Sequence, residues 1–250
     1  MIPKKIHYCW FGKNPLPNEV KKCIESWKLF CPDYEIIEWN EENYDVFKID
    51  YMAEAYKAKK YAFVSDYARL DIIYNNGGIY LDTDVELIRP LDDLLHHSCY
   101  LGMELPGRVA TGLGFGAVKG NNFLYENMKY YEYNHFFYKG RMNLTTCVEI
   151  TTNILKKHGL SNDDNIQIIK DTIIFSTEYF CPYDIEKGIT NLTCNTISIH
   201  HYSASWYQGG NIIKNIRKKT IPIKIKIRKK IDSSFGIGSY EKIKKILKGF

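Results

Sequence analysis

Two aspartates one residue apart, Asp82 and Asp84, are the residues in this chain whose type and spacing most directly imply chemistry. They close the segment Ile79-Tyr80-Leu81-Asp82-Thr83-Asp84-Val85. Read as a strand, the segment puts both carboxylates on one face, roughly 7 Å apart along the backbone. Neighbouring carboxylates repel each other and are costly to take out of water. A hard divalent cation removes that cost and prefers oxygen ligands. The apolar neighbours Ile79, Leu81, Val85 and Leu87 argue against two idle surface acids. The pattern therefore predicts a metal site, at the end of a sheet strand, that holds a phosphorylated substrate.

Three further groups are candidates for the same site. Asp66 and Arg69 are spaced i, i+3, off the apolar stripe of their helix. They are either a surface ion pair worth a few tenths of a kcal/mol or a polar face turned to the aspartates' cleft. His200 and His201 close an apolar run, Ile197-Ser-Ile-His-His, and either could add a metal ligand. Trp10 ends the first apolar run beside Gly12, where a ring can stack on a base or simply anchor a core.

The elements needed to position these groups can be read from periodicity. Lys5 to Gly12 reads as a buried first strand, Pro17 to Phe30 as a helix with Val20, Ile24 and Trp27 inward, and Tyr34 to Trp39 as a second strand. That β-α-β start predicts a parallel sheet. Lys59 to Asn76 reads as a longer helix with Phe63, Tyr67, Leu70 and Tyr74 as its core stripe, stopped by Gly77-Gly78. Pro90 to Leu95 reads as a short helical turn. Further strands are expected near Tyr100 and Gly114, and late ones over 166–169 and 196–200. Two more helices are expected, from Asn122 to Tyr138 and from Cys147 to His158.

Length and composition set the bounds. With 250 residues and 45% hydrophobic content, one large domain with an appendage fits. No run of about 18 apolar residues is present, so no transmembrane helix is expected. The start of the chain lacks a signal peptide's long apolar core. Seven Cys at 9, 23, 31, 99, 147, 181 and 194 contain no CxxC pair and favour free thiols in a cytoplasmic setting. Residues 211–250 carry 13 Lys or Arg against two acids, a charge of +11 that leaves −6 on residues 1–210. This predicts a globular domain over 1–210 and a basic, partly helical tail over 211–250. The alternation Ile221-Pro-Ile-Lys-Ile-Lys-Ile-Arg, and a helical face of Ile243, Ile246 and Leu247, favour an anionic membrane over nucleic acid as the tail's partner.

Three blocks together resemble family 32 glycosyltransferases. They are Ile6-His-Tyr-Cys-Trp-Phe-Gly12, the stretch from Ser65-Asp-Tyr-Ala-Arg69 through Tyr-Leu-Asp-Thr-Asp84, and the late His-His…Ser205-Trp206. The resemblance spans about residues 1–210. It implies a GT-A-like α/β fold and transfer of a hexose, with retention, from a nucleotide sugar (a UDP-sugar in first place) to a glycan acceptor of surface or capsular polysaccharide synthesis. It also implies Mn²⁺, with Mg²⁺ as a substitute, and a lipid-linked acceptor at the inner face of the cytoplasmic membrane. By resemblance to the glucosylating-toxin members, Trp10 stacks on the base, Asp66 binds donor sugar or ribose, Arg69 binds donor sugar, and Tyr80 lines the donor pocket. Asp82 contacts ribose and metal, and Asp84 ligates the metal. His200 or His201 is a further metal ligand, spacing to Ser205-Trp206 favouring His200, while Ser205 and Trp206 close over the pyrophosphate. Asp82, Asp84 and Arg69 carry the catalytic roles. The family's Thr-Gly-Pro…Thr on the acceptor side is replaced here by Thr146-Cys-Val-Glu-Ile-Thr151. Two rival readings of the same residues are an aspartyl phosphatase, from Leu81-Asp-Thr-Asp-Val, and an inactive glycan-binding module.

Overall fold

The structure, a computed structural model, describes residues 1–184 and 189–202. The chain divides into two compact units. Among the described residues, the first comprises 1–182 and 192–202, and the second 183–184 and 189–191. The expected boundary at residue 210, the basic tail, Ser205 and Trp206 all lie outside the described residues.

The first unit opens with β1 (Lys5–Cys9), α1 (Asn18–Phe30), β2 (Glu35–Trp39), α2 (Asp50–Lys57) and α3 (Tyr61–Asn76). It continues with β3 (Gly78–Tyr80), β4 (Val85–Leu87), a 3₁₀ turn (Asp92–Leu94), β5 (Cys99–Leu105), β6 (Arg108–Ala110), β7 (Phe115–Ala117) and α4 (Asn122–Glu132). Then follow β8 (Phe137–Tyr138), β9 (Arg141–Met142), α5 (Cys147–Lys157), β10 (Gln167–Ile169), β11 (Thr172–Phe175) and α6 (Thr177–Phe180). In the second unit, β12 (Tyr183–Asp184) pairs antiparallel with β13 (Ile189–Thr190). The first unit ends on β14 (Ser198–His200).

The α/β expectation holds. An eight-stranded mixed sheet runs β10-β11-β5-β7-β3-β1-β2, with β6 on β5. β1 is parallel to both β2 and β3, whereas β7 runs antiparallel to β3 and β5. Because the chain steps from β1 to β2 on one side and to β3 on the other, the carboxyl end of β1 is a switch point, where open α/β sheets bind ligands.

Strand alternation sorts side chains onto the two faces. Ile6, Tyr8, Ile79 and Leu81 pack with α1 and α6 on one face, among Val20, Cys23, Ile24, Trp27 and Phe180. Cys9 and Tyr80 pack on the other with residues of α2, α3, α4 and α5. Covered on both sides, α3 buries almost its whole circumference from Val64 to Ile73, not just the expected Phe63/Tyr67/Leu70/Tyr74 stripe. It ends where expected: Gly77 caps it with φ +66°, a conformation that costs glycine little.

Two expectations are corrected. The strand carrying the aspartates stops at Tyr80, and Asp82 to Asp84 form a turn closed by Val85 N–H donating to Asp82 O at 3.0 Å. The two carboxylates therefore do not share a strand face, and the turn rather than the pleat sets their approach. The fourth helix ends at Glu132, six residues short of Tyr138. Phe136 leaves it to sit fully buried against the rings of Tyr51 and Phe63. Lys139 (φ +48°) and Gly140 (φ +75°) then make the paired positive-φ turn of a tight hairpin.

Candidate functional site

The site is built where the carboxyl ends of β1 and β3 meet α3. Tyr80 is the last residue of β3 and faces α3, so its ring lies under the Arg69 guanidinium, 5.1 Å from Cζ to the ring centre. Its hydroxyl donates to Asp82 Oδ1 at 3.0 Å. Arg69 lies one turn after Ser65 and Asp66. Its Nε donates to Ser65 O at 3.0 Å and its Nη2 to Asp66 Oδ1 at 2.8 Å. Its Nη1 stands 3.5 Å from Asp82 Oδ2 and has no hydrogen-bond partner. Asp66 and Arg69 are 7% and 3% exposed. They are thus not a surface pair but a buried one aimed at the first aspartate.

The second half of the site arrives from the far end of the chain. Trp27 Nε1 on α1 donates to Val85 O at 2.8 Å, and Ser26 Oγ accepts from Leu87 N at 3.0 Å. These bonds fix β4, on which β14 lies antiparallel with His200 opposite Val85. His200 Nε2 comes 3.1 Å from Asp84 Oδ1. Its neighbour His201 points away, pairing with Glu86 Oε2 at 2.7 Å in solvent. His201 donates its backbone N–H to Asp84 O at 2.9 Å, but its imidazole is not brought to the two carboxylates.

Electrostatics matches this geometry. Burial pushes the Asp82 carboxyl up; Arg69 pulls it back and the Asp84 charge adds to the rise, leaving it above the usual range. Burial likewise carries Asp66 to about 6 against the pull of Arg69, with Asp82 adding to the rise. Burial opposes charge on His200, but Asp84, together with Asp82 and Glu104, outweighs it and the net shift is upward. Burial also opposes the charge of Arg69, which Asp82, Tyr80 and Asp66 nevertheless hold firmly protonated. Carboxylates are crowded beyond what Arg69 alone neutralises, which is the condition a cation relieves.

The residues fit a divalent metal. One atom each from Asp82, Asp84 and His200 lie within 4.8 Å of one another. Two carboxylates and one imidazole suit Mn²⁺ or Mg²⁺. Two of the buried polar atoms without partners among the described residues, Arg69 Nη1 and His200 Nδ1, belong to side chains that reach Asp82 and Asp84. Such atoms are uncommon in a folded interior and mark where an absent group would bond.

The sequence reading missed three wall residues. Gly112 presses so closely that a Cβ there would come 2.5 Å from Asp82 Oδ2 and 3.2 Å from Arg69 Nη1. The small-residue run Thr111-Gly-Leu-Gly114-Phe-Gly116 was the available signal. Cys147, at the start of α5, lies against Asp66 and Thr111. Glu104 on β5 adds its field to His200 and is paired to Arg108 Nε at 3.3 Å. Trp10 stands just past β1, partly exposed, its Nε1 donating to Asn14 O at 2.6 Å.

Residues 17–101 match the family model described as a glycosyltransferase sugar-binding region containing a DXD motif. That stretch is similar to the DXD-containing glycosyltransferases. Asp82-Thr83-Asp84 is its DXD. Among curated proteins, inositol phosphoceramide mannosyltransferase 3 of Schizosaccharomyces pombe is 32% identical over 151 residues, covering 54% of this chain and 40% of its own length. Mannosyl phosphorylinositol ceramide synthase CSH1 of Saccharomyces cerevisiae is 30% identical over 147 residues, covering 54% of this chain and 38% of its own length. The chain thus spans about two fifths of the length of these relatives. Among solved structures, the PaToxG glycosyltransferase aligns over 62% of this chain and 68% of its own, at 16% identity and a TM-score of 0.48.

Proposed function

We propose that the chain is a metal-dependent, retaining glycosyltransferase of GT-A-like type that moves a hexose from a nucleotide sugar, a UDP-sugar in first place, to a hydroxyl of a lipid-linked glycan. The observation that carries the reading is the convergence of Asp82, Asp84 and His200 beside the buried Arg69–Asp66 pair. Asp82, Asp84 and His200 would hold Mn²⁺ or Mg²⁺, which when bound neutralises charge on a leaving diphosphate. The unpartnered Nη1 of Arg69 and its planar fork offer donors to sugar hydroxyls. Asp66 holds that fork through Nη2 and is placed to accept from a sugar hydroxyl with its second oxygen. The Tyr80 hydroxyl, donating to Asp82, fixes the carboxylate's orientation. Trp10, at the switch point, offers a ring to the base. The Cys147 end of α5 forms the acceptor side.

No side chain at the site stands as an obvious nucleophile, in keeping with front-face transfer in which the substrate itself takes the acceptor proton. The phosphatase reading asks for its aspartates after the first strand. Here they follow the third.

The hexose class is supported by the relatives' names, which specify mannosyl transfer, and a lipid-linked acceptor by their naming of inositol phosphoceramide. A role in surface polysaccharide synthesis, and a cytoplasmic position at the inner membrane face held by the tail of 211–250, complete the proposal. No described helix is long and apolar enough to cross a membrane.

The test is a thermal-shift and hydrolysis screen of nucleotide sugars with and without Mn²⁺. At least one nucleotide sugar should stabilise the protein and be turned over only with metal. Donor binding without any turnover would favour the glycan-binding module. Release of phosphate from simple phosphoesters would favour the phosphatase.

A further inference from the structure

The hairpin β8–β9 has no role in the sugar chemistry, and its construction is unusual for an ordinary surface loop. Its root is rigid. Phe136 is buried among aromatic rings, Asn143 N–H donates to Phe136 O at 2.6 Å across the base, and Glu54 on α2 accepts from Phe137 N at 2.8 Å. Its tip stands free. Phe137 faces Met142 across the ladder and Tyr138 faces Arg141. Successive pairs point to opposite faces, so apolar side chains are offered on both sides of the ribbon. Tyr133, Phe137, Tyr138, Met142 and Leu144 are all exposed, Tyr138 at 69% and Leu144 at 59%. The five fall within twelve residues.

Charge separates this hairpin from its surroundings. Residues 1–210 carry −6, yet residues 133–148 contain Lys139 and Arg141 and no acid. Lys139 lies over the Tyr138 ring at 5.4 Å. Aromatic rings mixed with long basic side chains are the composition of a membrane interface, where rings sit at headgroup level and cationic ends reach the phosphates. With Phe137 and Met142 on one face and Tyr138 beside Arg141 on the other, the ribbon offers a ring on each face; a surrounding interface covers both at once, whereas one flat protein patch covers only one.

We propose that the hairpin of residues 137–142 is a wedge that enters the interface of an anionic bilayer. This goes beyond the sugar-transfer reading and does not depend on it. Only four residues, Asn143 to Thr146, separate the wedge from Cys147 at the acceptor side. A bilayer held there would present lipid-linked hydroxyls to the site.

The test uses the full chain and phospholipid vesicles, anionic or neutral. Replacing Phe137, Tyr138 and Met142 together by Ser should lower partition into anionic vesicles by on the order of tenfold. K139Q with R141Q should reduce the preference for anionic over neutral lipid, the 13 basic residues of 211–250 supplying the remainder. Y138W keeps the ring and gives a readout independent of how the triple variant folds: its added fluorescence should be quenched by brominated lipids. Equal partition of wild type and triple variant, or no quenching at position 138, would overturn the proposal. So would a wild-type dimer in lipid-free buffer that the triple variant converts to monomer, since the occupant would then be a second copy of the chain.

Discussion

Helix α3 carries two buried carboxylates, and they have been treated in opposite ways. Asp71 is fully served: it accepts from Tyr44 Oη at 2.8 Å, from Lys48 Nζ at 2.7 and 2.8 Å, and from Asn75 Nδ2 at 2.9 Å. Asp66, five residues earlier, has the Cys147 thiol and a guanidinium that it shares with Asp82, and that guanidinium keeps one nitrogen unbonded. A carboxylate whose lone pairs are filled by the fold has little left to offer a ligand. One left under-supplied, beside a second carboxylate, costs stability that a bound cation or sugar returns. The same residue type on the same helix thus serves structure at one turn and chemistry at another, and only the partner count distinguishes them.

The sharpest break between the two is Asp84→Ala. It should lower transfer on the order of 10³-fold and abolish metal-dependent donor binding, because a charge that stabilises the leaving diphosphate loses a ligand. Removing one of two crowded carboxylates relieves repulsion, so the apo protein should melt at or above the wild-type temperature. Activity above a tenth of wild type would remove Asp84 from the metal. Next comes Arg69→Lys, which keeps charge but not the fork and should cost about 10²-fold in kcat/KM. An unchanged kcat/KM would return Arg69 to a purely structural pair with Asp66.

Stability changes are expected on the other side of the comparison. His7 is fully buried; its Nδ1 accepts from Trp39 Nε1 at 3.0 Å and its Nε2–H donates to Gly77 O at 3.1 Å. That pattern holds the neutral ring, and burial pushes its pKa from 6.5 down to about 4. Between those values the unfolded chain takes a proton that the folded one refuses. Native stability therefore falls as pH drops from about 6.5 to about 4, by about 3 kcal/mol, and this contribution changes no further below about 4. Denaturant midpoints across that window, compared between wild type and His7→Gln, isolate the effect; parallel curves would refute it.

Smaller again, Asp71→Asn should cost about 2 kcal/mol of stability while leaving metal-dependent donor binding intact, the reverse of Asp84→Ala. Lys48→Met should cost under about 1 kcal/mol, because its side chain is 44% exposed and water screens it. If Asp71→Asn instead abolished donor binding, the contrast between the two turns of α3 would collapse.

Local regularities were readable from the sequence alone. The β1-α1-β2 start, α3 and its glycine stop, and the DXD with its apolar flanks are short-range patterns, and each residue's neighbours in sequence are its neighbours in space. Asp66 and Arg69 were legible as a pair for the same reason. What the fold alone decided depends on contacts between distant segments. Phe136 ends α4 by inserting beneath Tyr51 and Phe63, a packing gain that outweighs the continuing helical pattern. The turn at Asp82–Asp84 closes because α1 pins β4 through Trp27 and Ser26, some sixty residues away. His200 rather than His201 faces the aspartates because pairing with β4 sets the register of β14, and a shift of one residue would exchange them. Gly112 joins the site through a close backbone approach, and the glycine run around it does not say which side chains it approaches. Composition and periodicity report what a segment prefers; which side chain meets which across a sheet is fixed only when the strands pair.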